Sequence, residues 1–362
     1  MPSRMASADK LRAGSGGGES IRRSRGPSRA GTMGGRFDGE SGGSAAAGRD
    51  LTFSARAPFD PRYASPLDLV RLAGAEHMTV REHRVVLRDG LHLRVQERGT
   101  AGDGLPVLLL HGFTGSVEAW GEPLLEALAA AGRQVLAVDL LGHGVSDVPR
   151  DPARYEMQAQ LEDLEEALRA LRLERAVWVG YSMGARLALG AAVLRPGPVA
   201  ALVLESGSPG LATEEERQAR RSADETLAAR LEAAEPEGLL RFVDDWMALP
   251  LFATQRRLPE EVRRRERQRR LAHDPRGLAG TLRGLGTGAQ PSLWERLGEV
   301  RVPTLLLTGG LDEKFEAIAD RMAGHMPGAA RITVPDAGHA VHLERPDAWL
   351  AHVRTFMGDA GA

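Results

Sequence analysis

Residues 180–184 read Gly180-Tyr181-Ser182-Met183-Gly184 and lie between an apolar run, Ala176-Val177-Trp178-Val179, and a helix-forming run from Ala185 to Leu194. A serine flanked by glycines at this spacing, with a strand before it and a helix after it, implies a turn sharp enough to expose the hydroxyl at the top of a sheet. A Cβ at either glycine would meet the neighbouring backbone, so the local pattern already demands a strand and a helix packed tightly against each other. The bare five-residue pattern arises often by chance. Its weight here comes from the rest of the chain.

A serine hydroxyl becomes a nucleophile or base only when an imidazole can take its proton, and a carboxylate must orient that imidazole. Downstream of Ser182, the apolar run Pro303 to Thr308 ends in Gly309-Gly310-Leu311-Asp312. A shorter run, Arg331 to Val334, leads to Pro335-Asp336-Ala337-Gly338-His339. Both polar residues follow the carboxyl ends of expected parallel strands, where open α/β sheets gather their sites. The expected triad is therefore Ser182, Asp312 and His339. Asp312 could instead only cap the next helix, and His339 could be a structural histidine in a Gly-rich turn. Asp336 is a rival acid, and His342, three residues past His339, is expected to pack or face solvent. An earlier strand, Val107 to Leu110, leads into His111-Gly112-Phe113-Thr114-Gly115-Ser116. The backbone N–H groups of Phe113 and Met183 are the expected oxyanion donors. His111 is expected to buttress that loop more readily than to react.

Around these motifs, strands alternate with helices. Val80–Leu87 and Leu91–Glu97 turn at Asp89-Gly90, a favoured hairpin pair. A helix is expected over Glu118–Ala131, a strand over Gln134–Val138, a Gly-rich loop over 139–147, a helix over Glu156–Leu171 and a strand over Ala200–Glu205. This alternation predicts an α/β fold, a mostly parallel eight-stranded sheet with helices on both faces. Residues 210–298 break the rhythm with charged helical stretches and no convincing strand, and are expected to form a helical cap. The core would comprise 78–209 and 299–358. Residues 1–65, rich in Gly, Ser, Ala and Arg, are expected to be a disordered tail. Residues 66–77 could form a short helix, and a transit peptide or an early start codon are alternative readings of the tail. Deleting residues 1–77 is expected to leave a folded, active protein, with loss of activity in a soluble truncated form as the contrary result.

Composition excludes several classes. With 362 residues and a net charge of −2, there is room for one large domain and no global attraction to nucleic acid. The basic stretch Arg263 to Arg270 is interrupted by Glu266, preceded by Glu260 and Glu261, and lacks interleaved aromatics. There is no cysteine, hence no disulfide framework or thiolate chemistry. No apolar stretch reaches membrane-spanning length. A cytoplasmic protein without membrane or nucleic-acid partner, metal or cofactor is expected; the oligomeric state leaves no mark in the sequence.

The serine turn and its partners resemble the α/β-hydrolase superfamily, whose fold hosts esterases, C–C hydrolases and lyases alike. Longer strings narrow this: residues 204–211 (Leu-Glu-Ser-Gly-Ser-Pro-Gly-Leu), 286–294 (Gly-Thr-Gly-Ala-Gln-Pro-Ser-Leu-Trp) and 310–315 (Gly-Leu-Asp-Glu-Lys-Phe). Together with 110–116 and 180–186, they closely resemble the 2-succinyl-6-hydroxy-2,4-cyclohexadiene-1-carboxylate synthase family of menaquinone biosynthesis, over residues 79 to 357. Ala185 departs from the family's usual glycine. The resemblance implies a lyase that removes pyruvate from 2-succinyl-5-enolpyruvyl-6-hydroxy-3-cyclohexene-1-carboxylate, with the triad serine as base. It implies a small carboxylated substrate held by Arg186, Arg220, Arg270 and Lys314, with Tyr181 and Trp246 in the cavity wall. Arg217 or Arg221 could stand for Arg220, and Arg269 for Arg270. Arg186 lies four residues after Ser182, one helical turn on and on the same face. The competing activity is a carboxylesterase or C–C bond hydrolase using Ser182 as nucleophile; a binding-only protein is the third reading.

Overall fold

The computed structural model describes residues 80–102, 104–233 and 237–359. The expected tail, the expected helix at 66–77 and Met78 lie outside the described residues.

Eight strands form one sheet: β1 (Arg81–Val86), β2 (His92–Arg98), β3 (Val107–Leu110), β4 (Val135–Asp139), β5 (Ala176–Tyr181), β6 (Val199–Glu205), β7 (Thr304–Gly309) and β8 (Ala329–Val334). Their spatial order is β1-β2-β4-β3-β5-β6-β7-β8. Only the pairings of β2 with β1 and with β4 are antiparallel; the other five are parallel. The β1–β2 hairpin closes as Asp89-Gly90 predicts, with Gly90 at φ 84° and its N–H donating to the Leu87 carbonyl at 2.8 Å.

Strands β3 to β7 are buried throughout, save for the half-buried Tyr181 at the end of β5, which their near-continuous apolar sequences require of a sheet covered on both faces. Alternate residues feed two separate cores. Leu108, Leu110 and Trp178 pack with helices α2 (Met157–Ala170), α3 (Met183–Leu194) and α8 (Glu313–Ala323). Val107, Leu109, Val177 and Val179 pack with α1 (Glu122–Ala129) and α10 (Pro346–Asp359), beside the short helix α9 (Val341–Glu344).

One expected helix is broken. In place of a helix over 118–131, a 3-10 turn, Val117–Trp120, meets α1 through Gly121 at φ 73°. Pro123 is the cause: it has no N–H to donate back to the preceding turn, so it fits the first turn of a new helix but not the interior of a continuous one.

Between β6 and β7, helices α4 (Glu214–Ala233), α5 (Glu237–Ala248), α6 (Glu260–Leu271) and α7 (Pro275–Leu285) sit with a 3-10 segment, Pro250–Arg257. They share a small apolar cluster of Ala228, Leu231, Leu239, Phe242, Val243, Leu278, Ala279 and Leu282, against which Phe113 of the β3–α1 loop packs. The polar helix α6 contributes little to that cluster; several of its arginines pair with acids at the surface, Arg264 with Glu261 and Arg267 with Asp244.

Candidate active site

Ser182 sits between β5 and α3 at φ 51°, ψ −103°. This left-handed backbone is strained for a residue with a side chain. Its N–H donates to the Glu205 carbonyl at 2.8 Å, which ties the turn to the next strand. The flanking glycines are obligatory. A Cβ on Gly180 would lie 2.3 Å from the Gly184 backbone, and one on Gly184 would lie 2.0 Å from the Leu110 carbonyl oxygen. Gly184→Ala is accordingly expected to destabilise by about 3 kcal/mol or more, because the obstacle is backbone that cannot turn aside. Thermal unfolding checks this, and an unchanged Tm would contradict it.

The loops after β7 and β8 bring the two partners to the serine. The Ser182 hydroxyl is 3.0 Å from His339 Nε2, and His339 Nδ1 is 2.7 Å from Asp312 Oδ2. His339 and Asp312 are both buried. With the Nδ1 proton committed to the carboxylate, Nε2 is free to accept the serine proton. Asp312 also caps α8, its Oδ1 accepting from the Phe315 N–H at 3.4 Å, so the two readings of this residue hold together. Asp336 points elsewhere: it is exposed and pairs with Arg345 at 3.5 Å. His342 packs rather than facing solvent; its ring lies 4.7 Å from Tyr181 and 4.8 Å from Trp120.

Phe113, Met183, Ser182 and His339 all line one cavity of about 490 Å³ at the carboxyl ends of the strands, beneath α4, α5 and α7. Among the described residues, no group accepts from the Phe113 or Met183 N–H. The Met183 amide opens α3, where unsatisfied N–H groups and the helix dipole favour negative charge. His111 does not reach the cavity. Its Nδ1 donates to the Gly112 carbonyl at 2.8 Å and its Nε2 accepts from the Leu140 N–H at 3.1 Å. Burial pushes it down to about 3, so it braces the loop as a neutral ring.

The cations differ sharply in their surroundings. Arg186 lines the cavity and is buried, yet forms no ion pair within 4 Å among the described residues. Its Nη1 donates to the Leu285 carbonyl at 2.8 Å and to Gln290 Oε1 at 2.5 Å. Burial, with Arg220 nearby, pulls it down to about 10, which still leaves it charged at neutral pH. The buried Asp224 carboxylate is near enough to support this charge, but does not touch the guanidinium. Burying a charge without a contacting partner is costly, so an anion entering the cavity would be stabilised here. Arg220 also lines the cavity, half-exposed and paired to Asp224 at 2.8 Å. Arg217 and Arg221 do not line it; both pair with Glu214. Lys314 stands at the cavity over the Phe315 ring. Tyr181 and Trp246 form part of the wall, and the Trp246 ring packs edge-on to Phe113 at 5.2 Å and stacks on Phe242 at 5.7 Å.

Arg270 sits differently from these cations. It is buried but does not line the cavity: its Nη1 donates to Glu266 Oε2 at 3.0 Å and to the Glu266 carbonyl at 2.8 Å. Its neighbour Arg269 pairs with the same carboxylate. Glu266 thus pairs with both arginines that the sequence offered for this position, and the trio keeps one net positive charge.

A second buried pair lies behind the triad and has no counterpart in the sequence reading. Glu205, fully buried, accepts from His342 Nδ1 at 2.8 Å, the His342 N–H at 3.1 Å and Trp349 Nε1 at 2.8 Å. The available signal was a lone glutamate ending an otherwise apolar strand. Among the described residues no cluster of His, Asp or Glu is placed to hold a metal, and no helix is long and apolar enough to cross a membrane.

The alpha/beta hydrolase fold family matches residues 106–346. A Bacillus subtilis protein named putative 2-succinyl-6-hydroxy-2,4-cyclohexadiene-1-carboxylate synthase is 42% identical over 273 residues, 75% of this chain and 97% of its own. The synthase of that name from Salmonella paratyphi C is 33% identical, over 67% of this chain and 90% of its own. The structure of MenH from S. aureus superposes with a TM-score of 0.69 at 33% identity, covering 75% of this chain and 99% of that one.

Proposed function

Because the chain belongs to the α/β-hydrolase-fold family and, within it, to the 2-succinyl-6-hydroxy-2,4-cyclohexadiene-1-carboxylate synthases, we infer that its site works as a proton-abstracting lyase and not as an acyl-transfer hydrolase. The enzyme eliminates pyruvate from 2-succinyl-5-enolpyruvyl-6-hydroxy-3-cyclohexene-1-carboxylate in menaquinone biosynthesis. The reaction removes the ring proton at C2, next to the succinyl ketone. The electron pair shifts through the 3-ene and expels the C5 oxygen with its enolpyruvyl group, leaving a 2,4-diene. The group departs as the enolate of pyruvate, which takes one proton at its methylene carbon and becomes pyruvate, balancing the proton removed from C2.

In our reading, Ser182 Oγ takes the C2 proton as its own proton passes to His339 Nε2, across the 3.0 Å contact. Asp312 stabilises the imidazolium that forms, through its 2.7 Å bond to Nδ1. Negative charge builds on the ketone oxygen, and the Phe113 and Met183 amides are placed to receive it. Such donors need no reorganisation as the charge develops. Arg186 is proposed to bind a substrate carboxylate as a bidentate fork, with Arg220 and Lys314 beside it. Tyr181 and Trp246 would shape the wall around the ring. We place the enzyme in the cytoplasm, acting on this small anionic substrate.

The observation that carries this reading is the buried, unpaired Arg186 beside the triad: a pocket for neutral esters has no use for it. The test is isotopic. Deuterium at substrate C2 is expected to slow single-turnover pyruvate release with a primary effect, and intact-protein mass spectra during turnover are expected to show no covalent adduct. An acyl-enzyme adduct would establish the hydrolase reading instead.

A further inference from the structure

Three buried histidines meet where the cap rests on the loop that carries Phe113. His111 comes from the loop after β3, His143 from the loop after β4, and His273 from the junction of α6 and α7. Their ring centroids lie 5.0 Å (His111 to His143) and 5.4 Å (His143 to His273) apart. None lines the substrate cavity. His273 is the member that crosses from the cap to the core. Its Nε2 lies 3.0 Å from the Thr114 carbonyl oxygen, and its Nδ1 accepts from the Gly144 N–H at 3.1 Å. A carbonyl only accepts and an amide N–H only donates, so the ring must be the neutral Nε2–H tautomer. Burial, together with the Arg269 charge, pushes His273 down to about 4, which keeps it in that form.

Thr114 is the residue that needs holding. It is β-branched and sits at φ 62°, a left-handed backbone that is strained for such a residue and persists only where surrounding contacts enforce it. Its own buried hydroxyl has no partner, so the side chain does not secure the turn. The turn closes through its own bond from the Gly115 N–H to the Gly112 carbonyl at 2.9 Å, and the cap grips its remaining free carbonyl: His273 holds the Thr114 oxygen, and Arg269 Nη1 reaches the same oxygen at 3.5 Å. Phe113 immediately precedes it, and its ring is wedged between Trp246 at 5.2 Å and His143 at 5.8 Å.

We propose that His273 is a positioning residue: through the Thr114 carbonyl, the cap holds the loop in the strained turn that aims the Phe113 N–H at the developing oxyanion. The cap then assembles the catalytic site as well as covering it. This rests on Phe113 as an oxyanion donor in the pyruvate-eliminating reaction.

The full-length enzyme is compared with His273→Ala, His273→Phe, His273→Asn and His273→Gln, and with Thr114→Gly alone and combined with His273→Ala. Two readouts are taken. The first, backbone amide exchange over residues 111–116, does not depend on which reaction the enzyme performs. It is expected to rise in the Ala and Phe variants and to return towards wild type in at least one amide variant, since an amide keeps one donor and one acceptor. The second is steady-state kinetics of pyruvate release. The Ala and Phe variants are expected to lose about tenfold or more in kcat with KM within about threefold, a fraction of what deleting an oxyanion donor costs. In the Thr114→Gly background, where the left-handed turn is free of strain, His273→Ala should cost less than about threefold. Unchanged exchange, a loss confined to KM, or an equal cost in both backgrounds would overturn the proposal. Should the Ala variant fail to fold, the Phe variant against the two amides decides. A wild-type enzyme that releases no pyruvate would remove the functional reading, and the exchange data would still decide whether His273 holds the loop.

Discussion

Ser182→Ala is expected to lower kcat by about 10²–10⁴-fold, the range that a positioned general base supplies, while substrate affinity stays within a few-fold of wild type. The hydroxyl is the only group that the variant removes, and it is 3.0 Å from His339 Nε2 and at the cavity surface. The carboxylate-binding cations are untouched, so binding should survive. His339→Ala should fall in the same range. The double variant should be scarcely worse than either single one, because residues that act as one unit lose their effect together. The left-handed Ser182 backbone adds a second readout: Ser182→Gly relieves the strain at φ 51° and should raise Tm even as it removes activity. Near-native turnover by Ser182→Ala would take the serine out of the mechanism.

Arg186→Met is expected to reduce kcat/KM by about 2–4 kcal/mol, roughly 30- to 1000-fold, the cost of stranding a buried substrate carboxylate without its partner. Methionine keeps much of the volume, so the effect isolates the charge. Stability should behave differently. In the free enzyme Arg186 is buried without a carboxylate within ion-pair distance among the described residues. Removing it forfeits the bonds to the Leu285 carbonyl and Gln290 but also relieves the burial of a charge that only the non-contacting Asp224 offsets. Tm should therefore remain close to wild type while kcat/KM collapses. A variant with unchanged kcat and KM would refute the role. Arg220→Met should cost less, since that side chain is half-exposed and already shares its charge with Asp224.

The parts of the site that were legible in the sequence are those fixed by local geometry. The serine turn dictates glycine at 180 and 184, because backbone lies 2.3 Å and 2.0 Å from where each Cβ would be. Asp312 and His339 follow from position at strand ends, and Arg186 from one helical turn after Ser182. The α/β alternation was legible because buried parallel strands read as apolar runs. The place of Arg270 was not legible, for a physical reason. Helix α6 has arginine at six of its twelve positions and almost no apolar stripe, so periodicity could not say which guanidinium faces inward. What Arg270 does depends on Glu266 one turn earlier, which captures it. The Glu205–His342 pair and the His273 contact to Thr114 join residues more than a hundred positions apart. No spacing rule reports such contacts; only the packed chain creates them. The break at Gly121 was visible in principle, since Pro123 cannot sit inside a continuous helix.

The most direct test is to give the purified enzyme 2-succinyl-5-enolpyruvyl-6-hydroxy-3-cyclohexene-1-carboxylate and follow pyruvate release, beside a panel of simple neutral esters. The account predicts rapid, Ser182-dependent pyruvate release with little or no ester cleavage. Efficient hydrolysis of the esters, with no pyruvate from the cyclohexene substrate, would contradict it.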